Sequence, residues 1–370
     1  MRTDTGTGLL PAAEKLRDLA AESASGADRN RRLGRDVVDA MGAAGFARHF
    51  VARPWGGTEG SFTELTQAVM TVGEGCAATA WCASLSAYSA RCAAHLPEEG
   101  HRAIWGSSPD VFIATALVPG GKATKEGDDW LLSGRWGYVS GVDFADWVLV
   151  CAQAAGQDGP PELRFFALPR GAYRVDETWD SVGMRATGSH TVTISDVVVP
   201  RHLSFARADM LTGRSSWSEV PSHHVPFQAV AGLTFIAPVA GAGTGALHAA
   251  AAGVTPKRRT PTTETRLVRA SGRIDAARQL VEQNAAVLDR RDFTPELMAR
   301  NERNATFSAE LLQEAAELLI RTAGTVGLGE THALQRIWRD ITSATSHVAL
   351  QYDTSARKNY GAVLLGPDNS

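Results

Sequence analysis

Three stretches of the chain gather residue types that do chemistry. In GRWGYVSGVDFADW (134–147), Trp136, Tyr138, Ser140 and Gly141 crowd a turn ahead of a β-branched run from Trp147 to Cys151. In GMRATGSHTVTISDVVVP (183–200), alternation from Thr191 to Ser195, followed by Val197 to Val199, reads as a half-buried strand. Aromatic, hydroxyl and backbone groups gathered at a turn between strands suit a flat heterocycle, held on one face and left open on the other. The third stretch, LQRIWRDITSATSHVAL (334–350), holds the only cluster of Arg, Trp, Asp and His in the C-terminal third, with Arg336, Arg339, Asp340 and His347.

Other chemistries fit the chain less well. GAGTGA (241–246) matches GxGxxA after an apolar run, with Glu264 roughly where a ribose acid would lie. Pro238 sits inside that run, the basic cluster Lys257, Arg258 and Arg259 intervenes, and no βαβ alternation surrounds it, so small residues for helix packing are the better reading. The histidines form no HExxH, and the adjacent His223 and His224 face different ways on a helix, so no metal site is expected. There is no GxSxG, and Ser140 lies between strands rather than at a strand-to-helix elbow. Cys76, Cys82, Cys92 and Cys151 show neither a CxxC pair nor zinc-like spacing and read as buried free thiols.

These groups need a scaffold, and 370 residues exceed one comfortable core, so two or three domains are expected. Apolar residues at 44% and charged ones at 21% are ordinary for a soluble globular chain. A net charge of −3 spread along the length gives no field for nucleic acid or a membrane surface. MRTDTGTGLLPAAEK lacks an apolar core of signal-peptide length, which leads us to expect a cytoplasmic protein. Residues 225–254 carry no formal charge over a length that spans a membrane, but Pro226, Gln228, Pro238, His248 and many Gly and Ala make a buried helix the expected outcome.

Helical periodicity runs from Leu9 to about Ser107, broken by the Pro/Gly loop VARPWGGTEGS (51–61). After Pro109, short β-rich runs alternate with Gly, Pro and Asp turn signals with no helix between them, which reads as antiparallel β. From about Ser222 the helical period returns and persists, with Leu297, Leu311, Leu312, Ala315, Leu318 and Leu319 on one face. The expected class is therefore α+β in three parts: a helical domain over 1–108, an antiparallel β domain over 109–215 and a helix bundle over 216–370.

With that order in view, GEGCAATAW (73–81), GRWGYVSGVDFADW, WDSVGMRATGSHTV (179–192) and LQRIWRDITSATSHVAL resemble, in order and spacing, the acyl-CoA dehydrogenase fold and its FMN-using monooxygenase branch. VVDAMGAAGFARHF, CASLSAYSARCAAHLPEEG and GLTFIAPVAGAGTGAL are most similar to the two-component hydroxylases that tailor aromatic polyketides, of the actinorhodin-pathway type. The resemblance implies that the heterocycle is a flavin. Dehydrogenases of this fold place a carboxylate near the end of the RD-containing helix; after Asp340 this chain has Ser346, His347 and Val348 and no acid until Asp353, so acyl-CoA dehydrogenation is not supported. The monooxygenase branch carries a His there, matched by His347, whose imidazole would deprotonate a phenol or hydrogen-bond a flavin C4a-hydroperoxide with a pKa near neutrality.

By the same comparison, Trp136, Tyr138, Val139, Ser140 and Gly141 would line the isoalloxazine, Ser140 donating a hydrogen bond near N5 and O4. Ala116 and Leu117 would offer backbone groups to the pyrimidine edge. Arg258, Arg336 and Arg339 are candidates for the FMN phosphate, and Tyr88, Trp217, His223, His224, Phe227 and Phe235 for the substrate wall. The resemblance further implies FMNH2 supplied by a separate NAD(P)H flavin reductase, molecular oxygen as co-substrate, and a homotetramer. Three functions remain open: hydroxylation or related oxidation of a phenolic, polyketide-like natural product, N- or S-oxygenation on the same fold, and a non-redox or binding role.

Overall fold

In the computed structural model, which describes residues 8–155 and 160–366, five helices come first: α1 (Leu9–Asn30), α2 (Arg35–Ala44), α3 (Phe62–Gly75), α4 (Ala77–Ala93) and α5 (Glu98–Trp105). The Pro/Gly loop ends at Ser61, whose hydroxyl accepts the Glu64 N–H and so satisfies an orphan donor at the start of α3. α4 is buried on nearly every side; its Ala, Ser and Cys positions let neighbouring helices come close, and Trp81, Tyr88 and Arg91 are its large side chains. The first seven residues, part of the stretch read for a signal sequence, lie outside the described residues.

Eight strands follow: β1 (Ile113–Ala116), β2 (Gly121–Glu126), β3 (Asp129–Val139), β4 (Trp147–Ala155), β5 (Glu162–Pro169), β6 (Arg174–Asp176), β7 (His190–Val199) and β8 (Ser204–Ala206). They form one sheet in the order β6-β7-β3-β2-β4-β5-β8, with β1 beside β4. The sheet is mixed rather than antiparallel throughout, because β1 and β2 share one edge of β4 and both run parallel to it. The connection that parallel pairing requires is supplied by the β2–β3 hairpin itself, which explains how parallel strands arise without a βαβ unit. β3 and β7 lose register between Trp136 and Val139, and within that bulge Tyr138 takes a positive φ of 60° that leaves its side chain 82% exposed.

The remaining helices are α6 (Arg207–Thr212), α7 (Phe227–Val230), α8 (Leu233–Ala252), α9 (Pro261–Arg290), α10 (Pro295–Ile320), α11 (Ala333–Thr345) and α12 (Arg357–Leu365). α9 and α10 both start at Thr-Pro, where the threonine hydroxyl accepts an N–H two residues into the helix and proline occupies a position whose N–H would be unpaired. The uncharged stretch is a core helix: in Phe227–Ala252, 83% of the most apolar window is buried inside the protein. Its GAGTGA glycines serve packing, since a Cβ at Gly241 would run into the Met70 carbonyl of α3 and one at Gly245 into that of Glu74. All four cysteines are buried and unpaired. One apolar cluster joins α1 to α4 with the late helices; a second fills the sheet and takes in the end of α4 and α5. The site below lies where these two meet.

Candidate active site

The fold brings four elements to one point: Trp81 on α4, Ser140 just after β3, Phe235 on α8 and His347 just after α11. The Trp81 indole N–H donates to the Ser140 hydroxyl at 3.2 Å. On its other side the Trp81 ring lies 5.1 Å from Phe235 and 5.8 Å, edge-on, from His347. Phe235 and His347 stack with centroids 3.9 Å apart at 28°. The early and late parts of the chain, more than 200 positions apart in the 370-residue sequence, thus meet across one indole.

Ser140 ends a chain of hydroxyls whose direction can be worked out. Thr187 donates to the Met184 carbonyl at 2.9 Å, which spends its only proton. Ser189, 2.6 Å away, therefore donates to Thr187, and Ser140, 2.7 Å from Ser189, donates to Ser189. Because Trp81 already donates to it, Ser140 keeps one open lone pair and no free proton. In this arrangement the Ser140 hydroxyl offers an acceptor position and no proton, in contrast to the donor role expected from sequence. Trp81, Thr187 and Ser189 set that direction and were not singled out from sequence, although Trp81 is the one large aromatic in the first half of a helix of small residues and Ser189 sits in the quoted GSH segment.

His347 also differs from expectation. Its Nδ1 accepts the Ala349 N–H at 3.2 Å, so the neutral ring carries its proton on Nε2. Burial pushes its pKa down to about 4, away from the near-neutral value expected from sequence. At pH 7 the ring is a neutral Nε2–H donor and a weak base, poorly matched to deprotonating a phenol. Asp340, seven residues earlier, accepts the Met184 N–H at 2.6 Å; burial raises its pKa to about 6. It fixes the loop that carries Thr187 and Ser189.

The remaining candidates divide. Trp136 is inside the sheet core at 2% exposure with its N–H on the Cys151 carbonyl at 2.6 Å, which takes its ring out of the wall of any open site. Val139 is likewise fully buried, while Tyr138 faces outward with Trp179 edge-on at 6.2 Å. Gly141 sits at a φ of 76°, as the turn after Ser140 requires. Ala116 ends β1 beside Val150 of β4, and Leu117 follows it. Beside Ser140 and Gly141 is a small, almost wholly apolar crevice of about 10 Å³, room for one water, lined by Cys82, Phe112 and Phe144 among others.

Of the three arginines, Arg339 is spent on Asp28 at 2.9 and 3.2 Å and on the Val182 carbonyl, so it pairs with neither Asp340 nor a free anion. Arg258 donates to the Ala323 carbonyl at 2.6 Å. The Arg336 side chain has no hydrogen-bond or ion-pair partner among the described residues, although its charge is near enough to favour the ionised form of Asp340. Of the expected substrate wall, only Phe235 joins His347. Tyr88 packs on Phe50 and Phe62, His223 has both ring nitrogens engaged by Ser218 and Phe50, and His224 bonds the Ser218 carbonyl. Phe227 packs against the sheet cluster, and Trp217 is 56% exposed. These five lie on the 213–227 segment and the second half of α4.

Comparison with known proteins places this geometry in context. Residues 12–103 match the acyl-CoA dehydrogenase N-terminal domain family and residues 233–352 its C-terminal domain family. The oxygenase subunit HsaA of a flavin-dependent monooxygenase from Rhodococcus jostii is 30% identical over 360 residues, covering 92% of each chain. The oxygenase component of an FADH(2)-dependent resorcinol hydroxylase from Rhizobium is 26% identical over 363 residues, covering 91% of this chain and 89% of that one. The crystal structure of 3-HSA hydroxylase from Rhodococcus sp. RHA1 superposes with a TM-score of 0.91 at 26% identity, covering 99% of each chain.

Proposed function

We propose, because this chain belongs to the oxygenase components of the flavin-dependent monooxygenases built on the acyl-CoA dehydrogenase fold, that it hydroxylates a phenolic aromatic compound using reduced flavin and dioxygen. The observation that carries the reading is the meeting of Ser140 and His347 on opposite sides of Trp81, a hydroxyl at 3.2 Å and an imidazole at 5.8 Å. Reduced flavin, when bound, supplies the two electrons with which one oxygen atom of O2 enters a ring carbon and the other leaves as water.

The residues present fit that group. Ser140 offers an open lone pair, and the reduced ring, unlike the oxidised one, carries an N–H at N5 for it to accept. Tyr138, exposed on its bulge, and the backbone at Ala116 and Leu117 are the groups we assign to the remaining edges of the ring. Arg336 is the arginine left for a phosphate. On the substrate side, Phe235 and Trp81 pack around His347 and limit the access of water to it, which strengthens every polar contact inside. His347 holds a proton at Nε2, where it donates to an oxygen rather than removing a proton from the phenol.

In this reading the flavin is FMN, delivered reduced by a separate NAD(P)H flavin reductase. The substrate is a phenolic, polyketide-like natural product, and the enzyme works as a homotetramer in the cytoplasm. The FADH(2) dependence of the resorcinol hydroxylase makes FMN against FAD the first choice for a binding assay to decide. The test is to mix the purified chain with a flavin reductase, NADH, FMN or FAD, 18O2 and a panel of phenols, aromatic amines and thioethers. Label on a ring carbon of a phenol supports the proposal. Label only on nitrogen or sulfur, or on nothing, overturns it.

A further inference from the structure

The inner end of α4 carries polar groups that the proposed oxygenation does not use. Arg91 is fully buried; its Nε donates to the Ser222 carbonyl at 2.7 Å, one Nη donates to the Val225 carbonyl, and the other Nη has no partner. No carboxylate pairs with it among the described residues, and the Phe62 ring lies 5.5 Å from its guanidinium carbon. An arginine keeps its proton, so the interior here holds a cation without a counter-charge.

Beside it is a cavity of about 280 Å³ that shares no lining residue with the cleft next to Ser140. Its walls come from the loop before α3, the 221–225 segment and the end of α9, and include Phe62, Ser222 and Val225, each of which contacts Arg91. The acids on these walls are already engaged. Asp289 accepts the Phe62 and Thr63 N–H groups at 2.8 and 2.9 Å and the Thr63 hydroxyl. Glu59 accepts the Arg53 N–H at 2.9 Å and faces its guanidinium at 3.6 Å.

The groups left open are donors. The Ser222 hydroxyl is buried without a partner, in a residue only 8% exposed. Arg291, held at a φ of 57° by the turn that ends α9, has no side-chain partner among the described residues. Apolar walls at Phe62, Pro221, Val225 and Leu288, two acids already engaged, two uncommitted donors and an unpaired cation behind them favour an occupant that brings acceptors and negative charge.

We propose that this cavity binds a small organic carboxylate, its apolar body against Phe62, Val225 and Leu288 and its carboxylate on the Ser222 hydroxyl and the Arg291 guanidinium. Arg91 supplies the field that favours an anion over its neutral counterpart. The site needs no flavin, so its failure leaves the proposed hydroxylation standing.

The test uses the full chain without flavin. Calorimetry measures binding of benzoate, 3-phenylpropanoate and hexanoate, of their methyl esters, and of inorganic phosphate. At least one acid binds about tenfold or more tightly than its ester. Ser222→Ala weakens that acid by roughly 5- to 20-fold and the exposed Arg291→Gln by about 2- to 5-fold. Reduced FMN binds both variants as it binds the parent. Arg91 is left intact because it also ties down two carbonyls. The proposal is overturned if no acid binds more tightly than about 5 mM, if acid and ester bind alike, if neither variant changes affinity, or if phosphate binds as well as the acids.

Discussion

The rings of Phe235 and His347 stack 3.9 Å apart at 28°, and that contact helps decide the charge of the imidazole. With a phenyl face on one side and the edge of Trp81 on another, little water is left to solvate a cation, and the pKa falls to about 4. The chain therefore carries a neutral histidine through the whole physiological range.

Replacing His347 with Ala should leave reduced-FMN affinity within about twofold and lower turnover by roughly 100-fold, the scale of losing a positioned proton donor. Turnover of the parent should show no titration from His347 between pH 5.5 and 8. Phe235→Ala should return the His347 pKa toward 6.5, read by NMR of the imidazole; an unchanged pKa would mean that the stacking contributes nothing.

Acid should destabilise the protein before neutral pH does. His347 and His95 are pushed down to about 4 and His223 to about 3, all mainly by burial. Each folded-state pKa lies below the unfolded one, so the unfolded chain binds protons first and stability falls as pH drops from about 6.5 toward 4. Asp340, raised to about 6, and Glu302, also raised by burial, work in the opposite sense, but they are two acids against five imidazoles, since burial lowers His49 and His101 as well. Urea unfolding at pH 5 should show a loss on the order of 3 kcal/mol relative to pH 7.5; equal stability at the two would show that these imidazoles are solvated.

Arg339 and Asp28 tie α11 to α1 through two hydrogen bonds of 2.9 and 3.2 Å, with side chains 13% and 12% exposed. Asp28→Ala alone should cost about 2 to 4 kcal/mol, since it leaves the largely buried Arg339 charge without a carboxylate, and Arg339→Met should cost less, because Arg185 remains 3.9 Å from Asp28. The double variant should cost less than the sum. Strict additivity in denaturant unfolding would contradict a direct pair.

Glycine positions separate packing from propensity. Gly241→Ala pushes a methyl into the Met70 carbonyl across the α3–α8 contact and should cost about 2 kcal/mol or more. Gly272 lies inside α9 with nothing near a new Cβ, so Gly272→Ala should gain roughly 0.5 to 1 kcal/mol. Thermal unfolding of the two variants checks both signs.

The order of helices, sheet and helices was legible because periodicity survives in long segments, and the small residues of 241–246 correctly pointed to close helix packing. What escaped was set by tertiary pairing. β2, GKATKE, has one buried side chain and no β-branched alternation, and β8 is three residues long, so neither announces itself; without β2 the parallel edge of β4 was invisible. Of the site, Ser140, Phe235 and His347 were named from sequence. Trp81, which joins them, was not, because no local pattern tells an indole in a core from one at a site. Trp136 misled for the converse reason: the β3 bulge turns Tyr138 outward and leaves Trp136 on the buried face.

The most direct measurement is a crystal structure grown without oxygen in the presence of reduced FMN. The expected result is a flavin whose N5 edge lies within hydrogen-bonding reach of the Ser140 hydroxyl, with His347 Nε2 facing the space above the ring and Arg336 near the phosphate. Flavin bound elsewhere, or a ring that leaves Ser140 bonded only to Trp81 and Ser189, would contradict the assignment of this cluster as the oxygenation site.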